Sequence, residues 1–120
     1  MSIGRILVGI DGSAAGDRAH EWARSLARSL GADVVAVHAA GLLVDEGVAE
    51  RCRVVPGDPV SVLLRVSAEE QADLIVVGSR GMGSHSGVFL GSTSHQVAER
   101  AHVPVVVVPA PAPTESEPPV

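Results

Sequence analysis

Short apolar runs alternate with segments of helical period along this chain, and that alternation constrains the fold most. Ile6–Ile10, Val34–Val37 and Leu74–Val77 are hydrophobic on both faces, as strands in the middle of a parallel sheet must be. After the first run, Ala19, Trp22, Ala23, Leu26, Ala27 and Leu30 recur at helical spacing. Arg18, Glu21, Arg24, Ser25 and Arg28 take the other face. Gly31 is placed to end this helix as a left-handed cap. Asp58 and Pro59 open a second helix, Asp58 as the cap and Pro59 in the first turn. Its inward residues are Val62, Leu63 and Val66, and residues 68–71 finish it. Asp73 leads into the run at Leu74. A last helix, capped by Ser92, directs Val97, Ala98 and Ala101 inward before Val103–Val108. With Cys52–Val55 as the third strand, strands and helices alternate throughout. The expected fold is α/β, an open five-stranded parallel sheet.

Residues 39–51 must cross from the second strand to the third. Those thirteen residues are near the minimum for a right-handed crossover. Residues 45–50 supply about two helical turns at most, and Gly47 weakens them. One face of the sheet is therefore expected to be thinly covered. The four valines at 105–108 are costly on a bare sheet edge, where Pro104 blocks a single donor position. Pairing with the same strand of a second subunit would satisfy that edge, so a homodimer through Val103–Val108 is expected. A tail folded over the strand, or a strand away from the edge, is the alternative. From Pro109 the chain carries five prolines in twelve residues. The reading is one domain over residues 1–109 and a disordered, proline-rich tail over 110–120.

Formal net charge is -5, from 14 acidic and 9 basic residues, and lysine is absent. The arginines at 5, 18, 24, 28 and 65 are scattered. A nucleic-acid partner wants a clustered positive surface and is not expected. No apolar run reaches the roughly 18 residues that span a bilayer, and the first residues lack a signal-peptide pattern. No membrane association is expected, and the cytoplasm is the expected location. Cys52 stands alone and reads as a buried strand residue. His20, His38, His85, His95 and His102 lack metal-ligand spacing. Ser13, Ser84 and Ser86 lack a base and orienter for a Ser-His-Asp mechanism.

Two strand ends carry the chemistry. Ile6–Ile10, which includes Gly9, stops at Asp11-Gly12-Ser13. Leu74–Val77 stops at Gly78-Ser-Arg-Gly81-Met82-Gly83, and Gly91-Ser92-Thr93 follows. Glycines let backbone amides approach an anion, and a helix start adds free amides and the positive end of its dipole. Gly78 would let the chain turn sharply off its strand. Gly81 and Gly83 would present amides, and Gly91 would clear space at the helix start. The Ser92 amide and hydroxyl and the Thr93 amide are the best phosphate donors. Asp11 could accept from ribose hydroxyls or sit near a phosphate-bound Mg²⁺, or merely cap its turn. Arg80 could neutralise phosphate, His38 could line a base pocket, and His85 could approach a terminal phosphate. Neither a P-loop nor a dinucleotide fingerprint is present.

Gly78-x2-Gly81-x9-Gly91-Ser92 resembles the ATP-binding motif of the universal stress protein family. Ile6–Ser13 with Ala19, Val54–Pro59, Ala72–Gly81 and Val103–Val108 are similar to that family's strands and turns, so the likeness runs from about residue 3 to 109. The resemblance implies a strand order of 3-2-1-4-5 with helices on both faces. It also implies dimerisation through the last strand and binding of ATP or AMP. Asp11 would meet ribose or phosphate, and His38 and Ala39 would meet adenine. Val77 and Gly78 would flank the nucleoside, while Gly81, Gly91, Ser92 and Thr93 would take the phosphates. Gly9 and Met82 complete the candidate set. Relative to the family, the second crossover is shortened. The function expected is that of an ATP-binding regulatory or protective stress-response module, with Mg²⁺ accompanying the nucleotide. A nucleotide-free scaffold of the same fold and a slow ATP hydrolase using Asp11 and His85 are the alternatives.

Overall fold

The computed structural model describes residues 2–40, 52–79 and 91–110. Five strands form one parallel sheet: β1 (Arg5–Gly9), β2 (Asp33–Ala40), β3 (Arg53–Pro56), β4 (Leu74–Gly78) and β5 (Val105–Val108). Their order is β3-β2-β1-β4-β5, as the resemblance implied. Leu7 of the central strand stands opposite Val35 of β2 and Ile75 of β4. The shortened crossover lies within 39–51, most of it outside the described residues, as do 111–120 of the tail.

Among the described residues, three helices cover the sheet: α1 (Ala14–Leu30), α2 (Pro59–Glu69) and α3 (Ser92–Arg100). On one face, α1 packs Ala19, Ala23 and Ala27 against Ile6, Val8, Leu74, Val76 and Val108. On the other, Val62, Leu63 and Val66 of α2 and Val97 of α3 meet Leu7, Val37, Val55, Ile75 and Val77. Each such aliphatic side chain contributes about 1.5–3 kcal/mol when fully buried.

Of the face expected for α1, Ala19, Ala23, Leu26 and Ala27 pack against the sheet, but its two largest flanking residues do not. Trp22 and Leu30 are 40% and 49% exposed, while Ala15, Gly16, Ala19, Ala23 and Ala27 are buried. The reason is proximity, visible at Gly78. A Cβ there would lie 2.7 Å from the Ala15 carbonyl carbon and 2.9 Å from the Gly16 nitrogen. A helix lying that close to a strand has room only for small residues, so the large side chains flank the contact. Ala98 is likewise exposed, one position beyond the buried Val97. Cys52 is half-buried and precedes β3 rather than lying within it.

Helix ends follow local chemistry. Gly31 caps α1 at φ 68°, a conformation that costs glycine nothing. The Ser61 amide donates to Asp58 Oδ2 at 3.0 Å at the start of α2. Below the sheet, Asp73 Oδ2 accepts from the Gly4 and Arg5 amides at 2.8 and 3.1 Å. Glu70 accepts from Arg5 at 3.4 Å and from Arg53 at 3.1 Å. The amino ends of β1, β3 and β4 are thus tied together by polar bonds, while the carboxyl ends open onto a cleft.

Candidate functional site

Above β1, at the point where strand order reverses, lies a cavity of about 360 Å³. Such a crevice is where open parallel sheets bind ligands. Gly9, Ile10 and Asp11 approach it from β1, and Val37, His38 and Ala39 from β2. Val77 and Gly78 come from β4, Pro59 and Leu63 from α2, Gly16 from α1, and Gly91, Ser92, Thr93 and Ser94 from the start of α3. Gly9, Asp11, His38, Ala39, Val77, Gly78, Gly91, Ser92 and Thr93, all candidates from the sequence, therefore share one site. Gly81 and Met82 lie outside the described residues, as do Arg80 and His85. Ile10, Gly16, Val37, Pro59, Leu63 and Ser94 were not foreseen.

One side of the cavity is apolar. Val37, Ala39, Pro59 and Leu63 stand at the β2 and α2 side. Gly9 makes that wall possible, because a Cβ on it would come within 3.0 Å of Leu63 Cδ2. The His38 ring leans on the end of β1, its Nδ1 2.7 Å from the Ile10 carbonyl. A carbonyl only accepts, so Nδ1 carries the proton, and in the neutral ring Nε2 is then an acceptor.

The other side is polar. Asp11 Oδ1 accepts from the Ser13 amide at 2.9 Å and from the Ser13 hydroxyl at 2.5 Å. Ser13 Oγ in turn accepts from the Gly16 amide at 3.0 Å and so caps α1. Asp11 therefore holds its turn while lying exposed at the cavity. Gly16 is close-packed here as well: a Cβ on it would stand 2.8 Å from Asp11 Oδ1.

At the start of α3 two expectations are corrected. The N-cap is Gly91, and Ser92 is the first helical residue; among the described residues no side chain caps this end. A serine is the more common cap, yet Ser92 instead accepts from the Gln96 amide group at 3.0 Å. Gly78 serves the close approach to α1 described above. Its φ is not positive, so its backbone does not require glycine for a turn. The positive end of the α3 dipole thus faces the cavity, and among the described residues no carboxylate caps it. Across the sheet, β2 and β4 are separated by about 10 Å.

The sequence matches the universal stress protein family over residues 2–42 and 39–109. Universal stress protein Rv2623 of Mycobacterium tuberculosis is 34% identical over 131 residues, covering 85% of this chain and 44% of the relative. The chain thus spans less than half the length of that relative. Among solved structures, a universal stress protein in complex with cAMP is 28% identical. It superposes with a TM-score of 0.76 over 90% of this chain and 98% of that one. A family protein of Arabidopsis thaliana with AMP bound shares the fold at 19% identity and a TM-score of 0.69, covering 93% of this chain and 97% of that one. This chain belongs to the universal stress protein family.

Proposed function

We propose that the cleft binds an adenine nucleotide, ATP foremost with AMP as an alternative, and that the chain belongs to the family's ATP-binding motif subgroup. The observation that carries this reading is the uncapped start of α3 facing a cavity whose opposite wall is apolar. The base packs between Pro59, Leu63 and Val37, beside His38 and Ala39. The ribose reaches Asp11. The phosphates take the Ser92 and Thr93 amides and the Ser92 hydroxyl, whose lone pair is already engaged by Gln96 and whose proton is left to donate. Mg²⁺ would be held chiefly by the phosphates. Asp11 is the sole carboxylate lining the cavity among the described residues, and no group of three or more ligating side chains is found there. No side chain is assigned a catalytic role. The chain acts as a regulatory or protective module in the stress response, reporting nucleotide occupancy to a partner.

Cyclic AMP is the second occupant to consider, because the 28% identical structure is a complex with it. Isothermal titration of the full chain with Mg·ATP, repeated in competition with cAMP, separates the two. Uptake of ATP that falls in Ser92→Ala supports the reading. Absence of heat at millimolar ATP and cAMP alike overturns it.

The partner proposed is a second copy of the chain. β5 ends the sheet and pairs with β4 alone among the described residues. Val105, Val106 and Val107 are half-buried there. The carbonyls of Pro104 and Val108 accept from β4, so the alternate residues Val105 and Val107 direct their amides to the free edge. Sedimentation of the full chain beside Val107→Pro, which deletes one edge donor, reads whether that edge forms the dimer. A cytoplasmic location accords with the absence, among the described residues, of a helix long and apolar enough to cross a membrane.

A further inference from the structure

Ser94 is one of the few buried polar side chains of the described fold, 2% exposed, and it borders the cavity. Its hydroxyl lies 2.9 Å from the Gly91 carbonyl and 3.3 Å from the Ser79 carbonyl. Both neighbours are acceptors, so the single proton of Ser94 is shared between them. The same Ser79 carbonyl receives the Gly91 amide at 2.6 Å. Ser79 directly follows β4, and Gly91 is the N-cap of α3. These bonds therefore tie the end of a sheet strand to the start of the helix that faces the cavity. The Ser79 amide donates to the Val108 carbonyl at 2.8 Å, which anchors the same junction to β5.

We infer that Ser94 is a positioning residue for the nucleotide's phosphates: its buried hydroxyl fixes the start of α3 against β4, so that the Ser92 and Thr93 donors face the crevice. This rests on the nucleotide reading above and adds to it a residue that touches no ligand. Preorganised donors bind an anion better than donors that must first be ordered. Losing the Ser94 bond should therefore weaken the part of binding owed to phosphate. It should spare the part owed to base and ribose, which rests on β1, β2 and α2.

The test compares ATP with adenosine, by isothermal titration of the full chain well below its melting temperature. In Ser94→Ala the ATP affinity should fall about five-fold, the scale of one lost hydrogen bond, while adenosine changes by less than about two-fold. Ser94→Thr, which keeps the hydroxyl, should restore the ATP-to-adenosine ratio. Ser94→Cys keeps the bulk and weakens the donor, and it reads the same ratio should the alanine variant not fold. A purely structural role would lower both affinities together and leave the ratio unmoved; that result, or no loss of ATP affinity, overturns the inference. If the unaltered chain takes up neither ligand, the nucleotide reading fails and this inference falls with it.

Discussion

The helix starts of α1 and α3 border the same cavity but are finished differently. At α1, Ser13 Oγ takes the Gly16 amide, Asp11 holds Ser13, and the first turn presses on Gly78. At α3, Gly91 supplies no side chain to the amides that follow. At α2, whose first residue Pro59 also lines the cavity, Asp58 closes the helix end. A helix end left without a protein cap must find acceptors elsewhere, and here it faces a cleft. On the proposed reading, the difference teaches that an anion site is made by omission. Among the described residues, two helices are capped by side chains, and the third is the one proposed to receive a guest.

Giving α3 a cap of its own breaks the contrast most directly. Gly91→Asp places a carboxylate where phosphate should lie, and the φ of -65° at this position suits any residue. ATP affinity should drop about 100-fold, the equivalent of one or two charge-assisted bonds, while the helix itself loses no stability. Titration calorimetry reads the first and thermal unfolding the second. Unchanged ATP affinity would mean that α3 does not hold the phosphates.

Gly78→Ala tests how tightly the α1 side is closed. The new methyl meets backbone of Ala15 and Gly16 rather than a movable side chain, so overpacking should cost about 1–3 kcal/mol in urea unfolding. An unperturbed midpoint would show that α1 has room to withdraw. Ser13→Ala removes the α1 cap and the hydroxyl that steadies Asp11. A loss of about 1 kcal/mol is expected from the cap, accompanied by weaker binding of adenosine as well as ATP.

The smallest effect belongs to Asp58. The Ser61 amide, followed by the Ser61 side chain, holds its carboxyl below the usual aspartate range. A lowered value in the folded state favours the ionised cap. Its contribution is thus complete above the ordinary value of about 3.9 and is lost as pH falls through the lower folded value. The stability difference between the wild type and Asp58→Ala should be flat above about pH 5 and shrink below about pH 4. A difference that persists undiminished into stronger acid would show that the charge of Asp58 does not matter.

What could be read from the sequence was what local pattern encodes. The runs at Ile6 and Leu74 announce buried strands because both faces are apolar, and Gly31 and Asp58 mark helix ends by their own conformational chemistry. Within α1, Trp22 and Leu30 were misjudged because they are more hydrophobic than alanine. How close the helix lies to the sheet is set by the residues beneath it, and at the first turn that residue is Gly78, far along the chain. At α3 the usual preference for serine pointed to Ser92, whereas Gly91 is the cap. The glycines and Ser92 signalled the polar side of the site because phosphate chemistry leaves a compact motif. Pro59, Leu63 and Ser94 left none, since their place in the wall follows only from how α2 and α3 lie on the sheet.

The central claim, that the open start of α3 receives the phosphates of an adenine nucleotide, is tested most directly by following backbone amide resonances of the full chain while ATP is added. The account predicts saturable shifts at Ser92 and Thr93, larger with ATP than with adenosine, together with shifts at Ala39 and Gly78 that both ligands produce. Amides of Ser92 and Thr93 that stay in place at millimolar ATP, or that move equally with adenosine, would contradict it.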